Sequence, residues 1–388
     1  MRKTRIFTPG PTPLMPRAQL AMARPIIHHR TSEFKDLLIE TRKNLQKIFK
    51  TESEILILAS SGTGAMEAAV SALISAEEKA LAVVVGKFGE RWVEICAAFG
   101  ITCNSLTKPY GEAASADEIV QALREQPDTR ALLIQGCETS TATSHDLEAI
   151  AGRVRNEFPD LLIIVDAITA LGSQPVETDA WGLDVVISGS QKSFAIPPGL
   201  ACLSLSRRAL QRLGERKKIP SYYLDLRKEL KNQPKGQTAY TPAISLVVAL
   251  NEACLEMLEQ GIDPIVAEAQ LMARATQRGL QALGFRLLSS APSGAATAAY
   301  PPEGIDAGEL TKQVERKFGV KLAGGQGELK GKIIRIAHLG YFDLLDVAAV
   351  LWAIELSLLE LGAGAKLGTG VSAALEEAGQ EIATHSAV

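Results

Sequence analysis

Short apolar runs with no polar alternation, each leading into a helical pattern, constrain this chain more than any other feature. They fall at 55–58 (ILIL), 80–85 (ALAVVV), 131–134 (ALLI), 161–165 (LLIIV), 185–187 (VVI) and 201–205 (ACLSL). Between the first of them, 65–74 and 90–99 carry apolar residues at three- and four-residue spacing, the period of a helix with one buried face. A strand that is apolar on both faces must be covered on both, so the pattern demands an α/β fold with a mainly parallel sheet between helices. After Pro242 a long helical stretch at 244–259 leads into a second, smaller set: a helix near 264–283, strands near 285–288, 296–300 and 333–337, and a last helix near 344–361. The division expected is an N-terminal segment at 1–20 lying at the active-site cleft, a large domain at 21–260, a small C-terminal α/β domain at 261–361 and a tail at 362–388. That tail is rich in Ala, Gly, Thr and Glu, has little to pack, and is expected to be flexible or loosely docked.

With 388 residues, 46% of them apolar and 22% charged, the chain can bury a large core. Its 41 basic and 44 acidic side chains leave a formal charge of -3, too even a balance for a broad nucleic-acid or anionic-lipid surface. The five cysteines, Cys96, Cys103, Cys137, Cys202 and Cys254, are scattered without a Cys-x-x-Cys pair. This argues against a disulfide framework, a zinc site or an iron-sulfur cluster, and favours a reducing cytoplasm. The opening MRKTRIFTPGPTP breaks into Pro and Gly where a signal peptide would carry its apolar core, so a soluble, unexported protein is expected.

Three stretches of the large domain carry the chemistry. In SSGTGAMEAA, 60–69, small residues follow the strand ILIL and open a helix. Backbone N–H groups and the hydroxyls of Ser61 and Thr63 can approach an anion there, where the helix dipole also favours it, although small residues at such a turn often serve packing alone. In LLIIVDAITALG, 161–172, Asp166 stands at the carboxyl end of an apolar strand, where ligands of open parallel sheets bind. A local cap or ion pair is the plainer use of such an acid. In VVISGSQKSFAIPPG, 185–199, Lys192 follows another buried strand. A lysine held near the core loses affinity for its proton and becomes fit for Schiff-base chemistry, whereas one at the mouth of a loop merely meets water. Together the three supply what pyridoxal 5'-phosphate needs: a phosphate cradle, an anion facing the pyridine nitrogen, and a lysine 26 residues beyond that anion.

From FTPGPTP through SGTGAMEAA, GKFGERW, ETST, VDAITALG, SGSQKSF, YTPAISL and IIRIAHLG, nearly the whole chain resembles the class V, fold-type I aminotransferases that depend on pyridoxal phosphate. Within that family it is close to the alanine-glyoxylate and serine-glyoxylate (serine-pyruvate) aminotransferases. The resemblance implies a mainly parallel large-domain sheet of the seven-stranded type and a smaller C-terminal α/β domain. It also implies that Lys192 forms the Schiff base, that Asp166 pairs with the pyridine nitrogen, and that Ser61, Gly62, Thr63 and Gln191 hold the phosphate. Phe88, in GKFGERW, falls where the family stacks an aromatic ring on the cofactor. Ser140, in ETST, would bond near the ring oxygen, although Ala142-Thr143 stands where relatives usually have Gly-Val. Thr238 and Thr241 match positions that reach the phosphate of a neighbouring subunit, with Tyr240 as an alternative, which implies a homodimer with shared sites. Arg335, in KIIRIAHLG, would clamp the substrate carboxylate with its planar fork, and Gly10 would bring the N-terminal backbone beside it.

The function so implied is ping-pong transamination through Lys192. Alanine, serine and aspartate are all open as donors, and a small 2-oxo acid such as glyoxylate or pyruvate is the acceptor. Another class V pyridoxal phosphate enzyme, such as a lyase, is the alternative. A cysteine desulfurase would need a nucleophilic cysteine in the small domain, and none follows Cys254. A nicotinamide-dependent dehydrogenase fits poorly, because Glu67 stands at the third glycine position of the dinucleotide fingerprint and no ribose-binding acid follows VVVGKFG. A hydrogenase or other electron-transfer subunit would need clustered metal ligands, and no metal site is expected.

Overall fold

The structure, a computed structural model, describes residues 3–385. Seven strands form its central sheet in the order Glu54–Leu58, Ala201–Leu205, Val185–Gly189, Leu162–Asp166, Thr129–Gln135, Lys79–Val84, Thr102–Thr107. All run parallel except Ala201–Leu205, which is antiparallel to both of its neighbours. Alternate residues of each strand feed separate cores on the two faces: Leu81 and Val83 enter one, Ala80 and Ala82 the other. Thr102–Thr107 has no counterpart in the sequence pattern. It lies at the sheet edge, partly exposed, and its polar TCNSLT lacks the apolar run that marks the other strands.

The second sheet is antiparallel and has four strands, Arg286–Leu287, Ala296–Tyr300, Ile334–Ala337 and Ala323–Gly324 in that order. Helices Ile262–Ala282, Ala307–Phe318 and Leu344–Glu360 share an apolar core with it. The N-terminal chain joins this unit first, with Arg5–Ile6 pairing in parallel with Val320–Lys321 and the Ala337 N–H donating to the Phe7 carbonyl at 2.9 Å. Beyond Phe7 it crosses to the other unit, where the Thr12 N–H donates to the Gln191 carbonyl at 3.2 Å.

The tail, expected to have little to pack, is helical over much of its described length, and residues 386–388 lie outside the described residues. Thr369–His385 is a helix, and its Ala374 and Ala378 are buried in the core shared with Ile262–Ala282. Small residues, read as poor packing material, are what permit this contact: a β-carbon on Gly370 would stand 2.9 Å from the Gly279 carbonyl oxygen. The buried Glu355 carboxylate anchors the helix start by accepting from the N–H groups of Gly368 at 2.9 Å, Gly370 at 2.6 Å and Val371 at 2.9 Å. A carboxylate at that end also meets the positive pole of the helix.

Candidate active site

Parallel strands place their carboxyl ends along one edge, and the loops bearing Ser61, Phe88, Ser140, Asp166 and Lys192 all leave the large sheet there. Asp166 is the last residue of its strand, flanked in register by Gln135 and Ile187. Lys192 follows Val185–Gly189, the strand beside it.

Lys192 is buried, at 8% exposure. Its Nζ donates to the Pro9 carbonyl, and its own carbonyl accepts from the Thr12 hydroxyl at 2.9 Å. Burial lowers its pKa to about 8; the charge of Asp166 opposes this, while those of Arg335 and Arg91 add to it. The N-terminal segment therefore seats directly on the lysine. Asp166 shows the complementary effect. Burial raises its carboxyl to about 6, held back by the Ile168 N–H that donates to Oδ1 at 2.9 Å and by the charges of Lys192 and Arg91.

Ser61 caps the helix Gly62–Leu73 in extended conformation without spending its side chain on the helix. The first turn behind it comes close to the Asp166 loop, since a β-carbon on Gly62 would meet Ile168 Cγ1 at 2.9 Å. Thr63 accepts a hydrogen bond from Arg91 Nη1 at 3.2 Å. The Gln191 side-chain oxygen is buried with no hydrogen-bond partner.

Phe88 is half-buried in the first turn of the helix Lys87–Ala98, with the Arg91 guanidinium over its ring at 4.6 Å. Beneath that turn lies Glu138, which sequence reasoning missed. Its Oε2 accepts from the N–H groups of Phe88 and Gly89, both at 3.0 Å, and its Oε1 accepts from the Ser140 N–H at 3.1 Å and hydroxyl at 2.5 Å. Burial raises the pKa of Glu138, and these donors oppose it. The available signal was an acid three residues beyond the strand ALLIQ, on the same side of the sheet as Asp166. Ser140 turns inward: its hydroxyl also accepts from the Lys87 N–H at 3.0 Å, so it fastens the Phe88 helix. Ala142 adopts φ +55°, a conformation that favours glycine, and its carbonyl accepts from the Ser293 N–H at 3.0 Å. The loop thus keeps a glycine-like turn without the glycine.

Arg335 reaches this region from the small sheet, nearly buried at 6% exposure. Its Nε donates to the Gly324 carbonyl at 2.9 Å and its Nη1 to the Thr139 carbonyl at 2.8 Å, which ties the two sheets' loops together. Burial lowers its pKa to about 10, opposed by Glu138. The structure thus gathers Gly10, Arg335 and Asp166 around Lys192, with Ser61, Gly62, Thr63 and Phe88 at the same sheet edge. Thr238 and Thr241 line a groove with Ala59, Leu200, Tyr223 and Tyr240, and the Thr238 hydroxyl donates to the Tyr240 carbonyl at 2.6 Å.

Residues 18–331 match the Aminotransferase class-V family. The chain belongs to the class V aminotransferases. Among its relatives, the soluble hydrogenase 42 kDa subunit of Anabaena cylindrica is 40% identical over 96% of this chain and 98% of its own. The L-aspartate--glyoxylate aminotransferase of Paracoccus denitrificans is 30% identical over 97% of both chains. The crystal structure of ureidoglycine-glyoxylate aminotransferase from Bacillus subtilis superposes with a TM-score of 0.92 at 28% identity, covering 97% of this chain and 98% of that one. The fold is that of the fold-type I aminotransferases, with its mostly parallel central sheet.

Proposed function

We propose that this class V aminotransferase moves the amino group of an α-amino acid to a small 2-oxo acid, with pyridoxal phosphate held at Lys192. The observation that carries this reading is the pairing of a buried Lys192, its pKa lowered by burial, with a buried Asp166 at the sheet edge where Ser61 leaves its hydroxyl uncommitted. The donor set fits the cofactor. The first turn of Gly62–Leu73 suits a phosphate dianion, and a carboxylate as deep as Asp166 calls for a cationic partner such as a protonated pyridine nitrogen.

When bound, the cofactor supplies an electron sink that lets the Cα–H bond of an amino acid ionise. The rest is the work of this chain. With a pKa near 8, the Lys192 Nζ is a base matched to neutral conditions and can take and return the α-proton. Arg335, fixed by two carbonyls, keeps its remaining N–H groups for the α-carboxylate. The segment at Pro9 and Gly10 closes over the lysine and limits access of water.

Glyoxylate stands in the names of several relatives and supports glyoxylate as acceptor, with pyruvate the other candidate; alanine, serine and aspartate are the donors to test. The groove of Thr238 and Thr241, with the exposed Tyr222 and Tyr223 nearby, supports a homodimer in which these threonines complete a neighbouring phosphate site. No helix among the described residues is long and apolar enough to cross a membrane, and the free cysteines fit a cytoplasmic setting. The Anabaena relative's name suggests a hydrogenase subunit. The buried Lys192 and Asp166 at one edge of the parallel sheet support amino transfer instead.

A half-reaction screen tests the reading. Purified protein is mixed with each amino acid, and the visible cofactor band and the released 2-oxo acid are followed. One or more of the three donors should bleach the band and yield its oxo acid; no product from any amino acid would overturn the proposal.

A further inference from the structure

Arg91 is the charged residue of this region that no role above absorbs. It stands three residues after Phe88 on the helix Lys87–Ala98, and residues at that spacing share a helix face. Its guanidinium accordingly lies over the Phe88 ring, 4.6 Å from the centroid, a cation-π seat that keeps the group from swinging into water. From that seat Nη1 crosses to the neighbouring helix and donates to Thr63 Oγ1 at 3.2 Å.

The direction of that hydrogen bond matters. A hydroxyl whose oxygen is engaged by a guanidinium has its own proton left to give, so Thr63 is turned into a donor. It stands in the first turn of Gly62–Leu73, where free N–H groups and the helix dipole already favour an anion. A fixed positive charge beside them deepens the same potential.

Resting on the pyridoxal phosphate reading above, we propose that Arg91 is a positioning residue of the phosphate site, holding Thr63 as a donor to the phosphate while seated on Phe88. The same guanidinium favours the ionised Asp166 and the neutral Lys192, so its charge works in one direction across the site.

The test uses the full-length chain freed of cofactor and titrated separately with pyridoxal phosphate and with pyridoxal, which lacks the phosphate. Binding is followed by absorbance and protein fluorescence. For Arg91→Gln we expect pyridoxal phosphate affinity to fall ten- to a hundredfold and pyridoxal affinity to change less than threefold, with an unaltered unfolding midpoint. Arg91→Lys, which keeps the charge, should recover part of the loss. Thr63→Val should lower phosphate-dependent affinity by itself, and adding Arg91→Gln to it should cost much less than in the parent chain. Unchanged pyridoxal phosphate affinity in Arg91→Gln, equal losses for both ligands, or additive effects of the two substitutions would overturn the proposal. If the parent chain itself failed to bind pyridoxal phosphate, the functional reading would be what fails.

Discussion

Gly10 and Lys192 are packed so closely that a β-carbon on Gly10 would stand 2.6 Å from the lysine Cε and 2.9 Å from its Cδ. Gly10 also has φ +140°, in the region that side chains rarely adopt. The first prediction is that Gly10→Ala displaces the lysine or lifts the N-terminal segment off it. The strain and overlap together should cost about 1 to 3 kcal/mol of stability, read from urea unfolding. Single-turnover amino transfer should slow at least tenfold, following the misplaced Nζ. An unaltered unfolding midpoint and rate would mean that the segment does not seat on the lysine in solution.

Lys192→Ala removes the amine itself. Loss of the visible cofactor band and of detectable turnover is expected, because the neighbouring Ser193 and Gln191 cannot serve as an amine base. Spectra and product assays on the purified variant check both. Near-normal transfer without added amine would remove the lysine from the reaction.

Asp166 makes stability depend on pH. Its carboxyl is raised from 3.8 to about 6 in the folded chain, so the folded state holds that proton more tightly than the unfolded one. The contribution is full below pH 4 and is lost as pH rises through 6, on the order of 3 kcal/mol for a shift of this size. Cofactor-free Asp166→Asn should therefore gain stability relative to the parent chain across that window and keep the gain above it. With cofactor present the same variant should lose about two to four orders of magnitude in turnover, as other positioned charges do. Urea unfolding at a series of pH values measures the first effect and steady-state kinetics the second. A difference that stays flat across the window would show that burial does not strain this carboxyl.

Much of this architecture is legible in the sequence, for a reason that also sets its limit. Strands covered on both faces announce themselves as apolar runs, and Asp166 and Lys192 stand out because each interrupts such a run at its end. Thr102–Thr107 is covered less and reads as loop. The helix Thr369–His385 hides because close helix contact through Gly279 and Gly370 uses small residues, which by composition resemble a mobile tail. Glu138 and Arg91 act through other residues, one beneath Phe88 and the other between Phe88 and Thr63, and a spacing along the chain does not reveal such bridges. Ser140 lay within a recognised motif, yet its hydroxyl turns to Glu138 because a buried carboxylate needs donors nearby.

The last prediction concerns Arg335, where recognition and architecture meet in one side chain. Two of its nitrogens are committed, Nε to the Gly324 carbonyl and Nη1 to the Thr139 carbonyl, so the guanidinium is held rigidly before any substrate arrives. A planar group fixed in this way loses little entropy when a carboxylate accepts from the N–H groups that remain. Lysine in its place has one nitrogen to divide among Gly324, Thr139 and the substrate. Arg335→Lys should therefore raise KM ten- to a hundredfold for the amino donor and for the oxo acid alike, since one carboxylate site serves both half-reactions, a loss of about 1.5 to 3 kcal/mol. The cofactor's absorbance should be unaltered, because Ser61, Asp166 and Lys192 belong to the other sheet. Steady-state kinetics with each substrate varied in turn, together with a visible spectrum, make the check. An effect on one substrate alone, or loss of the cofactor, would mean that Arg335 is not the shared carboxylate anchor.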